Sequence, residues 1–462
     1  METNSPVERS HINLQGGWPT PRLHPTDDMQ AAAAKLFASP DIHERLRYGP
    51  SLGAESLRSN IAEWLTEAYH PRAGPIPSDR IGITNGASNG LATVLQKFTD
   101  PGVTKYIWMV EPTYFLACPV FRDAGFAERI RAIPDDDRGI NFEYFQQSLE
   151  EAEKTHTNPI PPLKTPQNGY PKIYRHVLYM VPTFSNPSGR TMALKDREKL
   201  VRIARKYDIL IATDDVYDLL RWENSGNKEA QNDRIPIPPR IVDVDRLIEG
   251  SNPFGNVVSN GSFSKIVAPG VRVGWLEATS QFINAMGRVG VTYSGGNQAH
   301  LASLIINEML ASGYIRRNIE KLLIPTYHRR YHTMVGAIRK FLYPLGVKIA
   351  ADNEYVRSGD SYQNTAGGFF LYIIFPDDGS LPFAKEIAQV ALEEYNLKIA
   401  PGNIFTVTDD TVEYPLRSNV YLRGARLCWA WHEEETLVEG IARLADILRK
   451  LREDRHQKSS SR

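Results

Sequence analysis

Val177-Leu-Tyr-Met-Val181 and Ile209-Leu-Ile-Ala-Thr213 are two short runs that are apolar almost throughout. Runs of this kind are typical of strands buried on both faces of a sheet. Between them, apolar side chains recur at helical spacing, at Leu200, Ile203, Ala204 and Tyr207. A strand, a helix and a second strand in this order predict two parallel strands joined by a crossover helix.

The same kind of run occurs at Tyr106–Val110 and at Val257–Ser259, and each of the four predicted strands leads into a polar cluster. The clusters are Glu111-Pro-Thr-Tyr114, Pro182-Thr-Phe-Ser-Asn-Pro-Ser-Gly189, Asp214-Asp-Val-Tyr217 and Asn260-Gly-Ser-Phe-Ser-Lys265. Ligands of open α/β sheets bind outside the carboxyl ends of the strands. We therefore expect an α/β fold with a largely parallel sheet, at one edge of which the four clusters meet.

Composition excludes several classes of protein. The chain has 462 residues, of which 42% are hydrophobic and 23% charged, and its 54 basic and 54 acidic residues cancel. A neutral balance argues against nucleic-acid and membrane-surface partners, which bind through a basic field. Two cysteines, Cys118 and Cys428, form no disulfide framework, so a reducing compartment is expected. The first 15 residues lack the apolar core of a signal peptide, and no apolar run approaches the roughly 20 residues of a membrane span. We expect a cytoplasmic location.

Three polar or proline-rich stretches, residues 154–172, 223–239 and 351–364, are predicted to be surface insertions. Near the C-terminus an apolar stripe predicts a helix packed on the core, formed by Leu437, Ile441, Leu444, Leu448 and Leu451. Residues 452–462 are polar and are expected to be frayed or disordered.

Lys265 is the residue that most needs an explanation. It follows Gly261-Ser-Phe-Ser264 and precedes Ile266-Val-Ala-Pro-Gly270, so its neighbours are small or apolar. Most lysines are simply exposed. A lysine in a dry site has a lowered pKa and becomes a nucleophile that forms an imine with an aldehyde. Arg272, seven residues later, is a candidate anion anchor.

Five motifs together carry a family resemblance. The stretch from Ser262 to Trp275 resembles the lysine motif of the class I/II aminotransferases, which are fold type I pyridoxal-phosphate enzymes. Further elements of that family are similar, in family order, to Asn85-Gly-Ala-Ser-Asn-Gly-Leu91, Ser185-Asn-Pro-Ser-Gly189, Asp214-Asp-Val-Tyr217 and Ala425-Arg-Leu-Cys-Trp429. The likeness covers about residues 12 to 450. Within the family it is greatest to the 2-aminoadipate aminotransferase-like group, particularly a fungal branch.

The resemblance implies a fold and a reaction. A large domain, residues 46–325, would hold a mostly parallel central sheet flanked by helices. Residues 1–45 and 326–451 would form a smaller α+β domain, and residues 452–462 a polar tail. The cofactor would be pyridoxal 5'-phosphate, and the enzyme would move an amino group between an amino acid and a 2-oxo acid. A homodimer is implied, because Tyr48 resembles the family tyrosine that reaches the neighbouring site.

The resemblance also assigns roles around the cofactor ring. Lys265 would hold the cofactor as an aldimine and then move the substrate's proton. Asp214 would pair with the ring nitrogen, although Asp215 competes for this role and a helix cap is the structural alternative. Tyr217 and Asn186 would donate hydrogen bonds to the phenolic oxygen, and Tyr114 would stack on the ring.

The cofactor phosphate would lie at the start of a predicted helix, where free N–H groups attract anions. By resemblance, the residues that would hold it are Gly86, Ala87, Ser88, Ser262 and Arg272. The sequence departs from the family at Ala87 and Ser88, where many relatives have Ser and Gln, so one side-chain contact is in doubt while the backbone donors remain.

Arg426 would bind the substrate α-carboxylate through its guanidinium fork, with Arg423 as the nearby alternative. Asn186 and the backbone of Gly17 would also line the substrate site. Relatives that act on 2-aminoadipate usually carry a lid helix before this glycine, and Met1–Gln15 shows no helical stripe. The identity of the substrate therefore does not carry over; Arg22 or residues 351–364 are conjectural substitutes.

Other functions would use the same fold or a similar glycine pattern. A lyase, a C–S bond-cleaving enzyme or a cyclising enzyme of secondary metabolism would use the same Lys265, Asp214 and Arg426. A regulator with this fold ranks far behind, because no basic helix-turn-helix segment precedes residue 12. A nicotinamide dehydrogenase is rejected, because Gly82, Gly86 and Gly90 are spaced by four. No metal is expected, since the histidines show no ligand spacing, among them His11, His24, His43, His176 and His432.

Overall fold

A seven-stranded sheet forms the centre of the molecule. The computed structural model describes residues 9–136, 139–154, 160–224, 237–350, 365–407 and 419–460. In these residues the strands are β1 Ile12–Asn13, β2 Ile81–Thr84, β3 Tyr106–Glu111, β4 Ile130–Pro134, β5 His176–Met180, β6 Ile209–Asp214, β7 Arg221–Glu223, β8 Val257–Ser262, β9 Gly274–Glu277, β10 Lys348–Ile349, β11 Thr365–Gly367, β12 Phe370–Ile374, β13 Leu397–Lys398, β14 Ala400–Pro401 and β15 Gly424–Cys428.

Helices alternate with these strands. The α-helices of the described residues are α1 Thr26–Phe37, α2 Ile42–Arg45, α3 Glu55–Tyr69, α4 Ala87–Phe98, α5 Cys118–Asp123, α6 Phe142–Lys154, α7 Leu194–Tyr207, α8 Ile241–Leu247, α9 Ser280–Met286, α10 Gly290–Gly295, α11 His300–Ala311, α12 Tyr314–Asn318, α13 Ile324–Phe341, α14 Ala384–Tyr395, α15 Asn419–Leu422 and α16 Glu434–Ser460. A π-helical turn, Ile319–Leu323, joins α12 to α13.

The central sheet has the strand order β2-β9-β8-β6-β5-β3-β4 in the described part of the chain. The pairs β3–β4, β3–β5, β5–β6 and β6–β8 are parallel, and β9 runs antiparallel to both of its neighbours. The α/β class and the largely parallel sheet are therefore confirmed. The two runs that predicted this fold pair directly, with Val177 opposite Leu210.

Side-chain alternation explains why these strands are apolar throughout. Successive side chains of a strand point to opposite faces. Tyr179 and Ala212 face one core, which also contains the apolar side of α4. Leu178 and Ile211 face a second core, which contains the apolar side of α7. Both faces of the sheet are thus covered by helices, as in other α/β proteins.

Strand β8 is longer than the sequence predicted. The expected strand ended at Ser259, because Asn260-Gly-Ser262 is polar, but the structure continues β8 to Ser262. The added residues pair with β9, with Gly261 opposite Trp275. A Cβ atom at Gly261 would lie 2.1 Å from the Trp275 indole, so only glycine allows this approach. The cross-strand tryptophan compensates for the missing side chain.

A second sheet lies toward the C-terminus. Its order is β10-β12-β15-β14, and its pairs are antiparallel. Helix α16 packs against α13 and buries the stripe Leu437, Ile441, Leu444 and Leu448, as predicted. The proposed division into two domains stays a prediction.

The expectation of a frayed C-terminal tail was wrong as far as Ser460, since α16 includes residues 452–460. Arg452 anchors this last part, donating to Ser380 Oγ at 3.1 Å and to the Leu345 carbonyl at 2.8 Å. A polar composition did not prevent helix formation, because the segment continues a helix that is already packed on the core.

The predicted insertions are described only in part. Residues 351–364 lie outside the described residues, as do 155–159 and 225–236. At the edge of the second insertion, β7 pairs with β11. In the first, Lys164 donates to the Gln96 and Thr99 carbonyls at the end of α4. A search of the described residues found no helix long and apolar enough to cross a membrane.

Candidate active site

Lys265 lies at the carboxyl edge of the central sheet, in the 3-10 turn that follows β8. Its amine donates to the Gly17 carbonyl at 2.8 Å and lies 5.9 Å from the centre of the Tyr217 ring. Burial is the main cause that lowers the pKa of this lysine to about 8. Among the described residues it makes no ion pair with a carboxylate, so its amine is poised to react with a carbonyl compound.

Asp214 ends β6 on the same side as the lysine. Tyr179 Oη donates to its Oδ2 at 2.7 Å, and Asn260 Nδ2 donates to its Oδ1 at 3.2 Å. Burial raises the pKa of Asp214 to about 6, while the Tyr179 hydrogen bond and the charge of Lys265 oppose the rise. The carboxylate is therefore held ready for a cationic partner.

Asp215, the competing candidate, has other partners. It accepts hydrogen bonds from Thr213 Oγ1 at 2.7 Å and from Ser259 Oγ. Burial raises the pKa of Asp215, while its hydrogen bond from Ser259 and the charges of Arg240 and Arg197 oppose the rise. Successive side chains of a strand point to opposite faces, so the carboxylates of Asp214 and Asp215 are separated. The geometry favours Asp214 as the carboxylate near Lys265.

A cradle for an anion lies at the start of α4. Gly86 has φ +86°, and α4 begins at Ala87 with no side-chain cap on its free N–H groups. A Cβ atom at Gly86 would lie 2.2 Å from Arg272 Nη2, so glycine is required for the guanidinium to approach the helix N-terminus. Ser88 is exposed in the first turn of α4.

Arg272 and two serines complete this cradle. Arg272 Nη1 donates to Ser264 Oγ at 3.3 Å, and Ser262 Oγ donates to Ser264 Oγ at 2.9 Å. Arg272 makes no ion pair with a carboxylate in the described part of the chain. A guanidinium, two hydroxyl groups and a helix N-terminus without its own anion fit a phosphate group.

Arg426 lies on β15 and reaches Asn186. Its Nη1 donates to Asn186 Oδ1 at 2.6 Å and its Nη2 to the Gln15 carbonyl at 2.5 Å. Its guanidinium carbon lies 4.1 Å from the centre of the Phe370 ring. The buried Nε has no hydrogen-bond partner among the described residues. This unused donor indicates a place for an additional acceptor, such as a carboxylate.

Arg423, the alternative to Arg426, faces elsewhere. It pairs with Asp377 at 2.7 Å and donates to the Pro376 carbonyl at 3.3 Å. The side chain of Asp377 is largely exposed. Arg423 therefore belongs to an ion pair outside the cluster around Lys265, although its own side chain is largely buried.

The structure brings most of the predicted ring contacts together. Tyr217 is buried and packs against Phe370, with ring centres 5.8 Å apart. Tyr114 is half-buried, and after burial the Asp214 carboxylate is the main cause that raises its pKa. Tyr48 is the exception: the residue is 92% exposed, so it joins no cluster among the described residues. The catalytic and binding roles of all these residues stay predictions.

Five residues at the site were missed from the sequence: Gln15, Tyr179, Asn260, Ser264 and Phe370. Ser264 could have been found, since it is the second serine of Ser262-Phe-Ser-Lys265. Tyr179 carries no local signal, because it lies inside an apolar strand. Gln15 acts through its carbonyl oxygen, which any residue type supplies. In the described residues, no three His, Cys, Asp or Glu side chains are grouped to hold a metal.

A lysine without an ion pair in the described residues, a buried carboxylate and a cradle that suits an anion, at one edge of a parallel sheet, fit an enzyme built around a phosphorylated aldehyde cofactor. The family model for aminotransferase class I and II matches residues 20–444. The chain belongs to this family, and it is a pyridoxal-phosphate-dependent aminotransferase.

Individual relatives extend over nearly the whole chain. The uncharacterised yeast protein YER152C (Saccharomyces cerevisiae) is 34% identical over 87% of this chain and 90% of its own. Aromatic-amino-acid aminotransferase 1 of Thermococcus litoralis is 28% identical over 95% and 88%. The structure of Pyrococcus horikoshii kynurenine aminotransferase, solved with PMP, KYN as substrates and KYA as products, has a TM-score of 0.71 and 25% identity over 96% and 92%.

Proposed function

We propose that the chain carries out transamination with Lys265 as the proton-transferring base and Arg426 as the anchor of the substrate α-carboxylate. The observation that carries this proposal is the Lys265 amine, which is partly buried, makes no ion pair in the described residues and has a pKa lowered to about 8. A base of this pKa is well matched to proton transfer near neutral pH.

The residues present suit pyridoxal phosphate at both of its ends. Arg272, Ser262, Gly86, Ala87 and Ser88 would hold the phosphate at the start of α4. Asp214 would pair with the ring nitrogen, Asn186 and Tyr217 would contact the phenolic oxygen, and Tyr114 would cover the ring. When bound, the cofactor supplies the electron sink for breaking the substrate's Cα–H bond. The protein positions the reacting atoms and moves the proton.

Arg426 has N–H groups left for a carboxylate, because its Nε–H is unused in the described residues and each Nη nitrogen carries two N–H bonds. Its Nη2 donates to the Gln15 carbonyl. That contact comes from the N-terminal segment, which also supplies the Gly17 carbonyl to Lys265. Residues 15–17 thus contact both cations of the proposed site.

We infer that the substrate side chain is apolar or aromatic. The centres of the Phe370 and Phe405 rings lie 4.1 and 5.0 Å from the Arg426 guanidinium carbon. Arg22, the conjectured reader of an acidic side chain, lies 3.8 Å from Glu433, which partly compensates its charge. The names of the Thermococcus and Pyrococcus relatives support the same inference.

A homodimer is part of the proposal. Large apolar side chains are exposed on two neighbouring segments: Leu46, Tyr48, Val291, Tyr293 and Leu301. The segments touch, because His300 Nε2 donates to the Arg45 carbonyl at 2.8 Å. An exposed apolar face of this kind is typical of a subunit interface, and a second copy of the chain would cover it with the same face.

We propose a cytoplasmic location because of the state of the two cysteines. Cys118 and Cys428 are both buried and neither forms a disulfide bond, as expected of a protein kept in a reducing compartment. Imaging of the tagged chain in a fungal cell would test this; a signal confined to an organelle would contradict it.

The experiment that tests the function is a screen of half-reactions. Purified protein loaded with pyridoxal phosphate is mixed with single amino acids, and loss of the visible absorption band is followed together with formation of the 2-oxo acid. Phenylalanine, tyrosine and tryptophan should react faster than aspartate or 2-aminoadipate. Lys265→Ala should lose turnover by about a hundredfold or more, because a positioned base contributes roughly 10² to 10⁴ in rate.

Lys195, exposed on α7, provides the matched control, and Lys195→Ala should react like the wild type. Borohydride should attach the cofactor to the peptide that contains Lys265. Full turnover by Lys265→Ala would overturn the proposal. Release of pyruvate and ammonia without net amino transfer would point instead to a lyase.

A further inference from the structure

The carboxylate of Asp214 is held by two side chains that the proposed reaction does not use. Tyr179 Oη donates to Oδ2 at 2.7 Å and Asn260 Nδ2 to Oδ1 at 3.2 Å. The sheet explains why they meet. Asp214 pairs in register with Asn260, and Tyr179 pairs with Ala212 two residues before Asp214. Since side chains alternate along a strand, all three share one face of neighbouring strands.

Tyr179 is in a rigid position. The side chain is 2% exposed, and its ring packs edge-on against Phe121 with ring centres 5.9 Å apart. Its hydroxyl has Asp214 as a side-chain partner in the described residues. A hydroxyl locked at this distance can only donate to the ionised carboxylate, because its own pKa is raised well above the ordinary value by burial and by Asp214.

We propose that Tyr179 is a positioning residue that keeps the Asp214 carboxylate ionised and oriented toward the ring nitrogen of pyridoxal phosphate. The proposal rests on the proposed role of Asp214 and extends it to a residue behind the cofactor. A buried carboxyl without a hydrogen-bond donor tends to take up a proton. The neutral acid would then pair weakly with a protonated ring.

The charges near Asp214 determine in which direction its pKa changes when the Tyr179 hydroxyl is removed. Burial raises its pKa to about 6 and the neighbouring Asp215 adds to the rise, while the Tyr179 hydrogen bond and Lys265 lower it. Tyr114 and Tyr217 also face the carboxylate as neutral phenols. Removing the Tyr179 hydroxyl therefore raises the pKa of Asp214 further, by about one pH unit for one charge-assisted hydrogen bond.

The test measures the dissociation constant of pyridoxal phosphate for two apoproteins, the wild type and Tyr179→Phe, at several pH values. A one-unit rise in the pKa of Asp214 makes the ratio of variant to wild-type constants about one at pH 8.5, about twofold at pH 7 and about fivefold at pH 6. Titration of Lys265 and of the cofactor phosphate acts on both proteins and cancels in this ratio.

A cofactor analogue isolates the ring nitrogen. In the analogue, carbon replaces the ring nitrogen and no positive charge forms there. The charge of Asp214 then no longer favours binding, so the Tyr179→Phe ratio should not increase as the pH falls. Tyr174→Phe is the matched control: this buried tyrosine also loses a hydrogen bond, from its hydroxyl to the Gly255 carbonyl at 2.6 Å, and should keep wild-type ratios at every pH.

A ratio for Tyr179→Phe that does not change with pH, or that changes equally for the analogue, would overturn the proposal and leave Tyr179 a packing residue. Should Tyr179→Phe fail to fold, Asn260→Ser removes the longer hydrogen bond to Asp214, together with one to the Ala87 carbonyl at 2.8 Å. It should give a smaller rise of the ratio toward low pH with the normal cofactor only; a flat ratio there would count against the proposal. Failure of the wild-type apoprotein to bind pyridoxal phosphate at any pH would overturn the proposed function itself, and this inference with it.

Discussion

At the scale of single residues, Arg426 and Arg423 show what the sequence leaves open. Both lie in the same short segment and both are arginines. Only the structure separates them: Arg426 is buried against Asn186, and Arg423 is paired with the exposed Asp377. The difference follows from β15, which places Arg426 inside the antiparallel sheet between Tyr372 and Ala400, whereas Arg423 precedes the strand.

The different positions of Arg426 and Arg423 lead to a prediction. Arg426→Lys should raise the KM for the amino acid by about 10- to 100-fold, because a lysine cannot reproduce two parallel hydrogen bonds to a carboxylate and one charged hydrogen bond is worth roughly 1.5–3 kcal/mol. Arg423→Lys, the matched control, should leave KM within about twofold of the wild type, since its partners Asp377 and the Pro376 carbonyl lie outside the site. Steady-state kinetics on both variants would measure the two KM values. An equal effect of the two substitutions would contradict the assignment.

The residue scale also shows how far motifs predict a site. Lys265, Asp214, Asn186 and Arg426 all lie where four strand ends and β15 meet, as the sequence predicted. Tyr179 and Asn260 were missed, because a tyrosine within an apolar strand and an asparagine after one are ordinary residues. What makes them partners of Asp214 is the strand register, which no local pattern determines.

At the scale of elements, α7 holds the loop that carries Asn186. Arg197 on α7 is fully buried and donates through Nε to the Met192 carbonyl at 3.0 Å. Its Nη2 donates to the Pro182 carbonyl at 3.1 Å and to Thr183 Oγ1 at 2.9 Å, and its Nη1 to the Pro239 carbonyl at 3.1 Å. One side chain thus ties both ends of the loop between β5 and α7.

We expect Arg197→Lys to lower the free energy of unfolding by about 3 kcal/mol, because a lysine leaves several of these buried acceptors without a donor. The KM for the amino acid should also rise, since Asn186 lies in the tethered loop. Urea unfolding followed by fluorescence, with kinetics on the same samples, measures both effects.

Arg202, on the same helix, gives the control. It is mostly exposed and pairs with Glu198 at 3.6 Å, so Arg202→Lys should change stability by less than about 0.5 kcal/mol. A wild-type unfolding curve for Arg197→Lys would show that the loop does not depend on this tether.

The element scale also explains the errors of sequence interpretation. The predicted end of β8 at Ser259 was too early, because the polar residues after it suggested the end of the strand. The pairing with β9 continues through Gly261 to Ser262. Helix α16 was ended too early for the same reason. In both cases a neighbouring element extends the regular structure beyond the apolar pattern that signals it.

At the scale of the whole molecule, the exposed apolar face predicts a dimer. Tyr293→Glu should shift the protein to a monomer, because a charge at the centre of an apolar interface is desolvated without a partner. The exposed fraction of Tyr293 is 73% in the single chain. Analytical ultracentrifugation at several protein concentrations measures the change.

Leu163→Glu provides the comparison. Leu163 is 66% exposed in another loop, where its backbone N–H donates to Asp100 Oδ2, so the substitution should leave the dimer intact. If the proposed Tyr48 contact is correct, monomeric Tyr293→Glu should also bind pyridoxal phosphate more weakly. A wild-type protein that sediments as a monomer would contradict the dimer.

The distribution of charge is also a property of the whole molecule. The 54 basic and 54 acidic residues cancel over the chain. Around the site, Lys265, Arg272 and Arg426 make no ion pairs in the described residues, whereas many of the other cations do. Folding therefore concentrates uncompensated positive charge where a phosphate and a carboxylate are expected to bind, although the composition is neutral.

The sequence by itself determined the α/β class and the parallel strands and supplied the candidate site residues, because hydrophobic periodicity and strand-end motifs are local properties of the chain. Tertiary structure decided which aspartate faces the lysine, which arginine lies inside the site, and that Tyr179 and the carbonyl groups of Gln15 and Gly17 belong to it. Those choices depend on strand register and on contacts between segments up to 411 residues apart, such as Arg426 with Gln15. Such contacts exist only after the chain has packed.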